Sequence, residues 1–454
     1  MNMTEGNVKK TLIHFAMPMI LSLITQQLYN VVDMIIVGRF LGVKELAQVG
    51  NAGTIVMILV TLSGGLEMGS EVIFAKYMGA KKQKDIVIGV KSILIFGFFS
   101  GLVITLLGTF LKTPILSLIR MPSDLINGTG TYYSIYLMGI TGIFLYDITR
   151  AILIALGSPR ISMFLMLFSS VLNVILDLVL ICLFKMGVGG AAFATILSQI
   201  IGMVFALIAL NKKLHPMVIQ YPYRGMNFEK IKEILHISLP TILQQLLLSL
   251  SAILLVALVN PFGSEIISGY VAVNKIMIFG LLVVMGTAQA ISVFTAANYG
   301  ANNRERVRKA YQYCVGFMSV YLLLVIGTNF ILPKFLIGAF IDIKKNGAAY
   351  EFGKQFLQYS TLTYLLYGWK IINESVLRGL LNMKAFLISN LSDLFLRTTM
   401  SYFFVWMFSS HGFWMGNMFG KLVSVAISMF FIIKSGLLIS NTTSKKEKWM
   451  KRTI

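Results

Sequence analysis

Two aspartates stand inside long apolar segments in which no cation neutralises them. Asp33 lies in the run Val-Val-Asp-Met-Ile-Ile, and Asp177 ends the run Asn-Val-Ile-Leu-Asp. No lysine or arginine occurs within four residues of either acid. A charged side chain in a membrane-spanning segment is costly and usually faces the interior of a helical bundle. We therefore expect both acids to point away from lipid.

The spacing around these acids predicts oxygen-rich helical faces. Tyr29 lies one helical turn before Asp33, and Gln26 lies nearly two turns before Asp33. The three side chains therefore share one face. Asn173 likewise precedes Asp177 by four residues. Carboxylate, amide and phenol oxygens suit either a hard monovalent cation such as Na⁺ or shared protons.

Two further residues extend this candidate cluster. Thr195 follows a Gly-rich turn and could add a hydroxyl oxygen. Asp147 is a third acid in an apolar segment, and either it joins the cluster or Arg150, three residues on, neutralises it. The predicted cation-coupling residues are Asp33, Asp177, Asn173, Tyr29, Thr195 and Asp147, with a possible Na⁺ site at Asp33, Asn173 and Asp177.

The remaining intramembrane acids have cations at helical spacing. Glu374 lies four residues after Lys370, and Asp393 lies four residues before Arg397, so structural ion pairs are expected there. Charges near a cavity could also contact a substrate. Gln26, Arg150 and Glu374 are the predicted substrate-cavity residues.

The elements that must position these side chains are transmembrane helices. Of 454 residues, 57% are hydrophobic and 13% charged, with a mean hydropathy of +0.80, and about 20 apolar residues make one span. The pattern predicts an all-α polytopic membrane protein with twelve spans. They lie near 15–38, 47–75, 88–111, 130–156, 161–184, 187–210, 234–260, 266–297, 307–331, 350–378, 385–408 and 412–435.

An internal repeat divides these spans into two halves of six. The motif His-Phe-Ala-Met-Pro ending at Pro18 matches His-Ile-Ser-Leu-Pro ending at Pro240, and later Gly-Ala pairs align at nearly the same offset. We predict an N-lobe at 1–220 and a C-lobe at 221–454. Leu255 occupies the position in the second half that corresponds to Asp33 in the first half. The predicted ion site therefore belongs to the first half alone.

The net charge of +21 comes from lysines and arginines scattered between apolar segments, which does not suit a nucleic-acid-binding face. Most of them fall in loops on the side of the N-terminus. By the positive-inside rule, both termini are expected to be cytoplasmic, with the basic C-terminal tail near anionic lipid. No Walker, Gly-x-Ser-x-Gly or His-Glu-x-x-His motif occurs, so we predict neither an enzyme nor a cofactor.

The chain resembles the multidrug and toxic compound extrusion (MATE) family of secondary antiporters. The resemblance covers the length, the 6+6 repeat, the Gly79-Ala80 and Gly300-Ala301 pairs and above all Asn173-x-x-x-Asp177. It implies a DinF-like cation site in the N-lobe at Asp33, Asn173 and Asp177, with Tyr29 and Thr195 at matching spacings. It also implies a hinge at Pro18 and two lobes around a central cavity.

The expected function is therefore efflux of cationic or amphipathic compounds in exchange for H⁺ or Na⁺ by alternating access, in the plasma membrane. The expected partners are small amphipathic substrates and membrane lipids, with the protein a monomer. The alternative is a flippase for a lipid-linked saccharide, which Arg150, Lys275 and Arg397 would favour as cationic cavity residues.

Overall fold

A computed structural model describes residues 2–118, 121–343, 346–409 and 412–438. This part of the chain is helical and has no β-strand. Its α-helices are α1 (Val8–Phe40), α2 (Val43–Gly79), α3 (Gln83–Leu118), α4 (Ser123–Ala155), α5 (Pro159–Asp177), α6 (Gly187–Gln220), α7 (Phe228–Val259), α8 (Ser264–Gly300), α9 (Arg304–Ile331), α10 (Pro333–Gly338), α11 (Gly347–Leu362), α12 (Tyr364–Gly379), α13 (Met383–Phe408) and α14 (Gly412–Lys434). The basic residues predicted at the C-terminal tail, from Lys445 onward, lie outside the described residues.

Ten of these helices are long and apolar enough to cross a membrane within the described ranges. The other two predicted spans are α13 and the pair of α11 followed directly by α12, and they contain the buried charges Lys370, Glu374 and Asp393. The tenth predicted span, 350–378, is thus broken at Thr363. A π-helical turn after α5 and the short α10 had no signal in the hydrophobic pattern.

The helices form two compact units. The first helix of each half, α1 or α7, begins in the unit that the other half mainly forms. Of the described residues, one unit contains 2 and 21–242, and the other contains 3–20 and those from 243 to 438. Helix α1 therefore begins in the second unit and continues into the first just after Pro18. Helix α7 makes the reverse passage just after Pro240. The predicted division at 220/221 into functional lobes stays a prediction.

The two halves repeat the same turns. Lys81 follows α2 with φ of 56°, and Asn302 follows α8 with φ of 54°. Gly157 follows α4 with φ of 80°, and Leu381 follows α12 with φ of 63°. Non-glycine residues rarely adopt this left-handed conformation. Its recurrence at matching places supports the repeat read from the sequence.

Helices α13 and α14 pack closely through a stripe of glycines. A Cβ atom built on Gly416 would lie 2.3 Å from the backbone nitrogen of Ser401, and one on Gly420 would lie 2.7 Å from Cβ of Arg397. Gly412 meets the backbone of Phe404 in the same way. Small residues four apart allow helix backbones to approach in a membrane. The stripe holds the charged residues of α13 against α14.

The segment before α1 is fastened to the α8–α9 turn. The Arg306 guanidinium donates to the backbone carbonyls of Met3 at 3.1 Å, Glu5 at 2.9 Å and Gly6 at 2.6 Å. Asn298 donates to the Met3 carbonyl at 3.2 Å and accepts from Nε of Arg306 at 3.1 Å. The start of α1 is thereby anchored in the second unit.

Replacement of Arg306 by alanine should release this segment. Hydrogen bonds from a charged donor contribute roughly 1.5–3 kcal/mol each, so amide exchange across residues 3–12 should accelerate by about tenfold or more. Hydrogen exchange with mass spectrometry measures this. Lys309→Ala is the control, since Lys309 pairs only with exposed Glu305 on the same helix. Unchanged exchange in Arg306→Ala would show that the anchor does not hold the segment.

Candidate functional site

The first unit brings four of the predicted residues together from three helices. Helix α1 supplies Asp33, α5 supplies Asn173 and Asp177, and α6 supplies Thr195. The α-helical part of α5 ends at Asp177, and the chain continues as a π turn, Leu178–Leu183. Such turns often occur at functional sites because they change the direction in which side chains project.

The carboxyl groups of Asp33 and Asp177 are in hydrogen-bonding contact. Asp33 is 8% exposed and Asp177 is 0% exposed. The Oδ1 atom of each is buried and receives no hydrogen bond in the described part of the chain. No lysine or arginine among the described residues forms an ion pair with either acid. A hydrogen bond between two carboxyl groups requires one proton, and the two remaining oxygens can accept a further proton or a cation.

The amide of Asn173 joins this carboxyl pair to α6. In one orientation its nitrogen donates to Thr195 Oγ1 at 3.4 Å. With the amide turned over, the nitrogen donates to Asp177 Oδ2 at 3.2 Å and the oxygen accepts from the Thr195 backbone nitrogen at 3.3 Å. The second orientation is preferred because it makes two good hydrogen bonds. Asn173 thus holds Asp177 in place.

Two tyrosines adjoin the carboxyl pair. Tyr29 interacts electrostatically with both acids, as the spacing on α1 predicts. Tyr132 of α4 is 7% exposed, hydrogen bonds with Thr195 and lies near Asp33. The sequence did not single out Tyr132. It stands in a run of aromatic residues of a predicted span, a pattern that a packed core also produces.

Asp147 belongs to an ion-paired group centred on Arg150. Its Oδ1 lies 3.6 Å from Arg150, and its Oδ2 accepts from Ser63 at 2.6 Å. Arg150 also lies 4.0 Å from Glu67 and over the ring of Tyr146. Of the two alternatives for Asp147, neutralisation by Arg150 is the arrangement that forms. Its part in cation coupling stays a prediction.

A small cavity lined mainly by polar side chains lies beside these groups in the first unit. Tyr29, Asn173 and Thr195 line it and also adjoin the carboxyl pair. The lining residues are Gln26, Tyr29, Tyr146, Asp147, Arg150, Met166, Ser169, Ser170, Asn173, Thr195, Ser198 and Gln199. Gln26 and Arg150 therefore stand on a cavity wall.

Glu374, the third predicted substrate-cavity residue, lies in the second unit. It is 2% exposed, pairs with Lys370 at 3.0 Å and accepts from Ser389 at 2.7 Å. The expected ion pair at Glu374 is therefore present. Its contact with substrate stays a prediction.

Asp393 does not pair with Arg397, the cation four residues later that the sequence predicted as its partner. Lys421 of α14 lies 2.6 Å from its Oδ2 and Lys370 of α12 lies 3.3 Å from the same atom. The helical neighbour Arg397 makes no ion pair with it within the described ranges. Close packing of three helices brings more distant cations nearer than the one on the same helix.

The family model described as MatE matches the chain twice, over residues 18–179 and 240–403. The chain belongs to the MATE family. The double match shows that both halves carry the same family domain, as the repeat predicted. MATE proteins are transporters, so the expectation of a non-enzyme is confirmed.

Relatives and solved structures agree with this membership. A probable multidrug resistance protein of Bacillus subtilis, YpnP, is 28% identical over 95% of this chain and 94% of its own. The multidrug export protein MepA of Staphylococcus aureus is 24% identical over 74% of each chain.

Two solved structures share the fold. An outward-facing multidrug resistance MATE family transporter of the MOP superfamily superposes with a TM-score of 0.86 at 24% identity, over 96% of this chain and 98% of its own. A MOP superfamily transporter from Pyrococcus furiosus gives a TM-score of 0.87 at 23% identity, with the same coverage. These likenesses confirm the predicted twelve-span fold of two six-helix lobes.

Because its ion pairs are buried, the second unit should lose much stability when one of the paired cations is removed. Lys421→Met removes the nearest cation of Asp393, at 2.6 Å, and should destabilise the protein by about 3–5 kcal/mol, the usual cost of breaking a buried ion pair. Thermal unfolding in detergent measures the loss. The double variant Lys421→Met/Asp393→Leu should recover part of it, and Lys434→Met at the end of α14 is the control. A single variant as stable as wild type would contradict the assigned pairing.

Proposed function

We propose that this MATE protein exports amphipathic organic compounds in exchange for H⁺ or Na⁺, and that Asp33 and Asp177 bind the coupling ion. The observation that carries this is the buried pair of carboxyl groups, hydrogen bonded to each other, with two oxygens lacking donors. The names of the relatives, a multidrug resistance protein and a multidrug export protein, support the class of substrate.

The carboxyl pair is suited to binding an ion reversibly rather than permanently. With one proton between them the two acids carry one negative charge, and a second proton or a Na⁺ ion would neutralise it. Buried unpaired charge is costly in a membrane protein, so the ion-loaded state is favoured whenever the site is closed to water. Release then requires a conformation that exposes the pair to water.

The link between ion and substrate runs through Tyr29, Asn173 and Thr195, which adjoin both the acids and the cavity. An ion that draws the oxygens of Asp33 and Asp177 together changes the position of α1 at the cavity wall. If that movement weakens substrate binding, then substrate must weaken ion binding by the same factor. This reciprocity is the thermodynamic basis of exchange.

Pro18 is the proposed hinge. It removes one backbone hydrogen bond from α1, and α1 passes between the two units directly after it. Ion binding at Asp33 would bend or straighten α1 at this point. Solved MATE structures described as bent and straight conformations share the fold, with TM-scores of 0.87 and 0.84 at 24% identity.

We further propose a plasma-membrane location with both termini cytoplasmic, from the bias of lysines and arginines towards the loops on the N-terminal side. Small amphipathic compounds and lipids are the proposed partners. A monomer would suffice, since the carboxyl pair and the polar cavity both lie in one unit of a single chain.

Neutralising either acid of the pair should uncouple transport. Asp33→Asn and Asp177→Asn proteins in vesicles should lose about 100-fold or more of the dye efflux driven by an imposed ΔpH or Na⁺ gradient, because an amide binds neither ion as a carboxylate does. Asp124→Asn, at an exposed acid at the start of α4, is the control. Gradient-driven efflux that survives both substitutions would rule out the carboxyl pair as the coupling site.

The same variants identify the ion. If Na⁺ is bound, it should raise the unfolding temperature of the wild type at fixed pH but not of Asp33→Asn or Asp177→Asn. If H⁺ alone couples, NaCl and KCl should act alike and only ΔpH should drive efflux.

A substitution at the proposed hinge, Pro18, should affect transport but not ion binding, unlike the substitutions of Asp33 and Asp177. Pro18→Ala restores a backbone donor to α1 and should lower efflux by about tenfold or more, while ligand-induced stabilisation by the coupling ion remains. Pro216→Ala, near the end of α6, is the matched control. Loss of ion binding together with transport would place Pro18 in the site rather than at a hinge.

A further inference from the structure

Two further acids of the first unit, Glu67 on α2 and Asp147 on α4, share a single cation. Nη1 of Arg150 lies 3.6 Å from Asp147 Oδ1 and 4.0 Å from Glu67 Oε1. In the described part of the chain, no other lysine or arginine forms an ion pair with either acid. One guanidinium can neutralise one carboxylate. The group therefore retains one negative charge when both acids are ionised, which is costly in a membrane-spanning segment.

Arg150 holds these two acids only loosely. A strong ion pair between a guanidinium and a carboxylate often uses two nitrogens, with N–O distances of about 2.7–2.9 Å. Here one nitrogen serves both acids at longer distances, and Nε of Arg150 is buried and donates no hydrogen bond within the described ranges. The side chains of Glu67 and Asp147 are 21% and 17% exposed. Both carboxylates can therefore take up a proton.

The small polar cavity lies between this group and the carboxyl pair. Asp147 and Arg150 line it. Tyr29 also lines it and interacts electrostatically with Asp147. The same phenol interacts with Asp33 and Asp177. Two groups of acids, each able to hold a proton, thus adjoin one cavity.

An unpartnered hydroxyl on the cavity wall is separate evidence that the cavity takes up a polar ligand. Ser170 lines the cavity and is 6% exposed, and its Oγ atom has no hydrogen-bond partner among the residues that the structure describes. A buried hydroxyl without a partner is costly. The cavity has room for a water molecule, which would bond with Ser170 and the polar groups around it. Water bound there can pass a proton between the two groups of acids.

A proton suits the second group better than a metal ion does. A Na⁺ ion between Glu67 and Asp147 would lie beside the guanidinium of Arg150 and be repelled by it. A proton on one carboxyl oxygen removes the excess negative charge without this conflict. The wall residues contributed by α5 and α6 carry no charge. The charged and titratable side chains that interact within this group are Glu67, Glu71, Asp147, Arg150, Tyr29, Tyr136 and Tyr146.

We propose that Glu67 and Asp147 share a second exchangeable proton, so that each cycle carries two coupling ions inward for one organic cation outward. This inference rests on the proposed export function and deepens it. With a monovalent cation as substrate, the cycle moves one net positive charge inward, and a membrane potential that is negative inside drives export. Exchange with the carboxyl pair alone would move no net charge.

The response of export to voltage tests this count of ions. Right-side-out vesicles are loaded with ethidium, a monovalent cation, at equal pH and equal Na⁺ on both sides. Valinomycin and a potassium gradient set a potential of about 100 mV, negative inside. One net charge crossing about 100 mV corresponds to a concentration ratio of about 50-fold. The steady-state ratio of external to internal ethidium should therefore rise about 50-fold in the wild type.

The variants Glu67→Gln and Asp147→Asn should each remove this response, because the remaining acid forms a neutral pair with Arg150. Their ethidium ratio should change with voltage by less than about twofold, while a gradient of the coupling ion still drives export. Glu229→Gln, at an exposed acid near the start of α7 in the same unit, should respond like the wild type. Gel filtration shows whether each variant is folded.

Infrared spectroscopy of the purified proteins gives a second measurement that does not depend on transport. At about pH 6 exposed carboxyl groups are ionised, so the carbonyl stretch of protonated carboxyl groups reports the remaining protons. Glu67→Gln and Asp147→Asn should each show one protonated group fewer than the wild type. Glu229→Gln should show the same number.

Three results would overturn the second proton site: wild-type export that does not respond to voltage, a full response in Glu67→Gln, or an unchanged number of protonated carboxyl groups in both variants. Stabilisation by Na⁺ that Glu67→Gln abolishes would also overturn it, since the group would then bind a metal ion. The proposed function fails separately. If no ion gradient drives ethidium export by the wild type, exchange is rejected, and the infrared measurement still decides whether Glu67 and Asp147 share a proton.

Discussion

The cost of holding charge inside a membrane-spanning bundle governs the organisation of this protein. Each buried ionic group must find a counter-charge, a proton or a mobile ion. In the second unit Lys370 and Lys421 meet that requirement for Glu374 and Asp393. In the first unit the carboxyl groups of Asp33 and Asp177 contact each other, and no lysine or arginine of the described residues forms an ion pair with them. Duplication of one domain has thus produced two different electrostatic solutions.

This difference gives the halves of a symmetric fold different tasks. An acid with a lysine at 2.6 Å, such as Asp393, has its cation supplied permanently by the chain. We propose that acids without such a partner, Asp33 and Asp177, take up and release an ion instead. Asp147 is intermediate between these two cases. Arg150 forms an ion pair with it, but both residues line the polar cavity.

The first helix of each half, α1 or α7, runs through both units. Helix α1 carries Tyr29 and Asp33 in one unit, and the other unit holds its beginning through Arg306 and Asn298. The same helix therefore contributes residues to both units. Pro18 lies where such a helix can bend at least cost, since one of its hydrogen bonds is already missing.

The sequence by itself determined the class of fold, the number of spans, the duplication and the unpaired acids of the first half. These follow from features that act over one helix or recur at a fixed offset: apolar length, side chains four residues apart and matching prolines. Asp33, Asn173, Asp177 and Thr195 were identified because a polar residue in an apolar segment stands out without knowledge of its neighbours.

Only the tertiary structure decided which groups pair across helices. Asp393 binds Lys421 and Lys370 rather than Arg397, and Tyr132 reaches Thr195 from a helix whose aromatic run could equally have been core. Local spacing limits the possible partners on one helix. The glycine-mediated approach of α14 to α13 sets distances between residues far apart in the chain. Since electrostatic energy depends on those distances, the sequence could show where charge is buried, but only packing could show which charges pair.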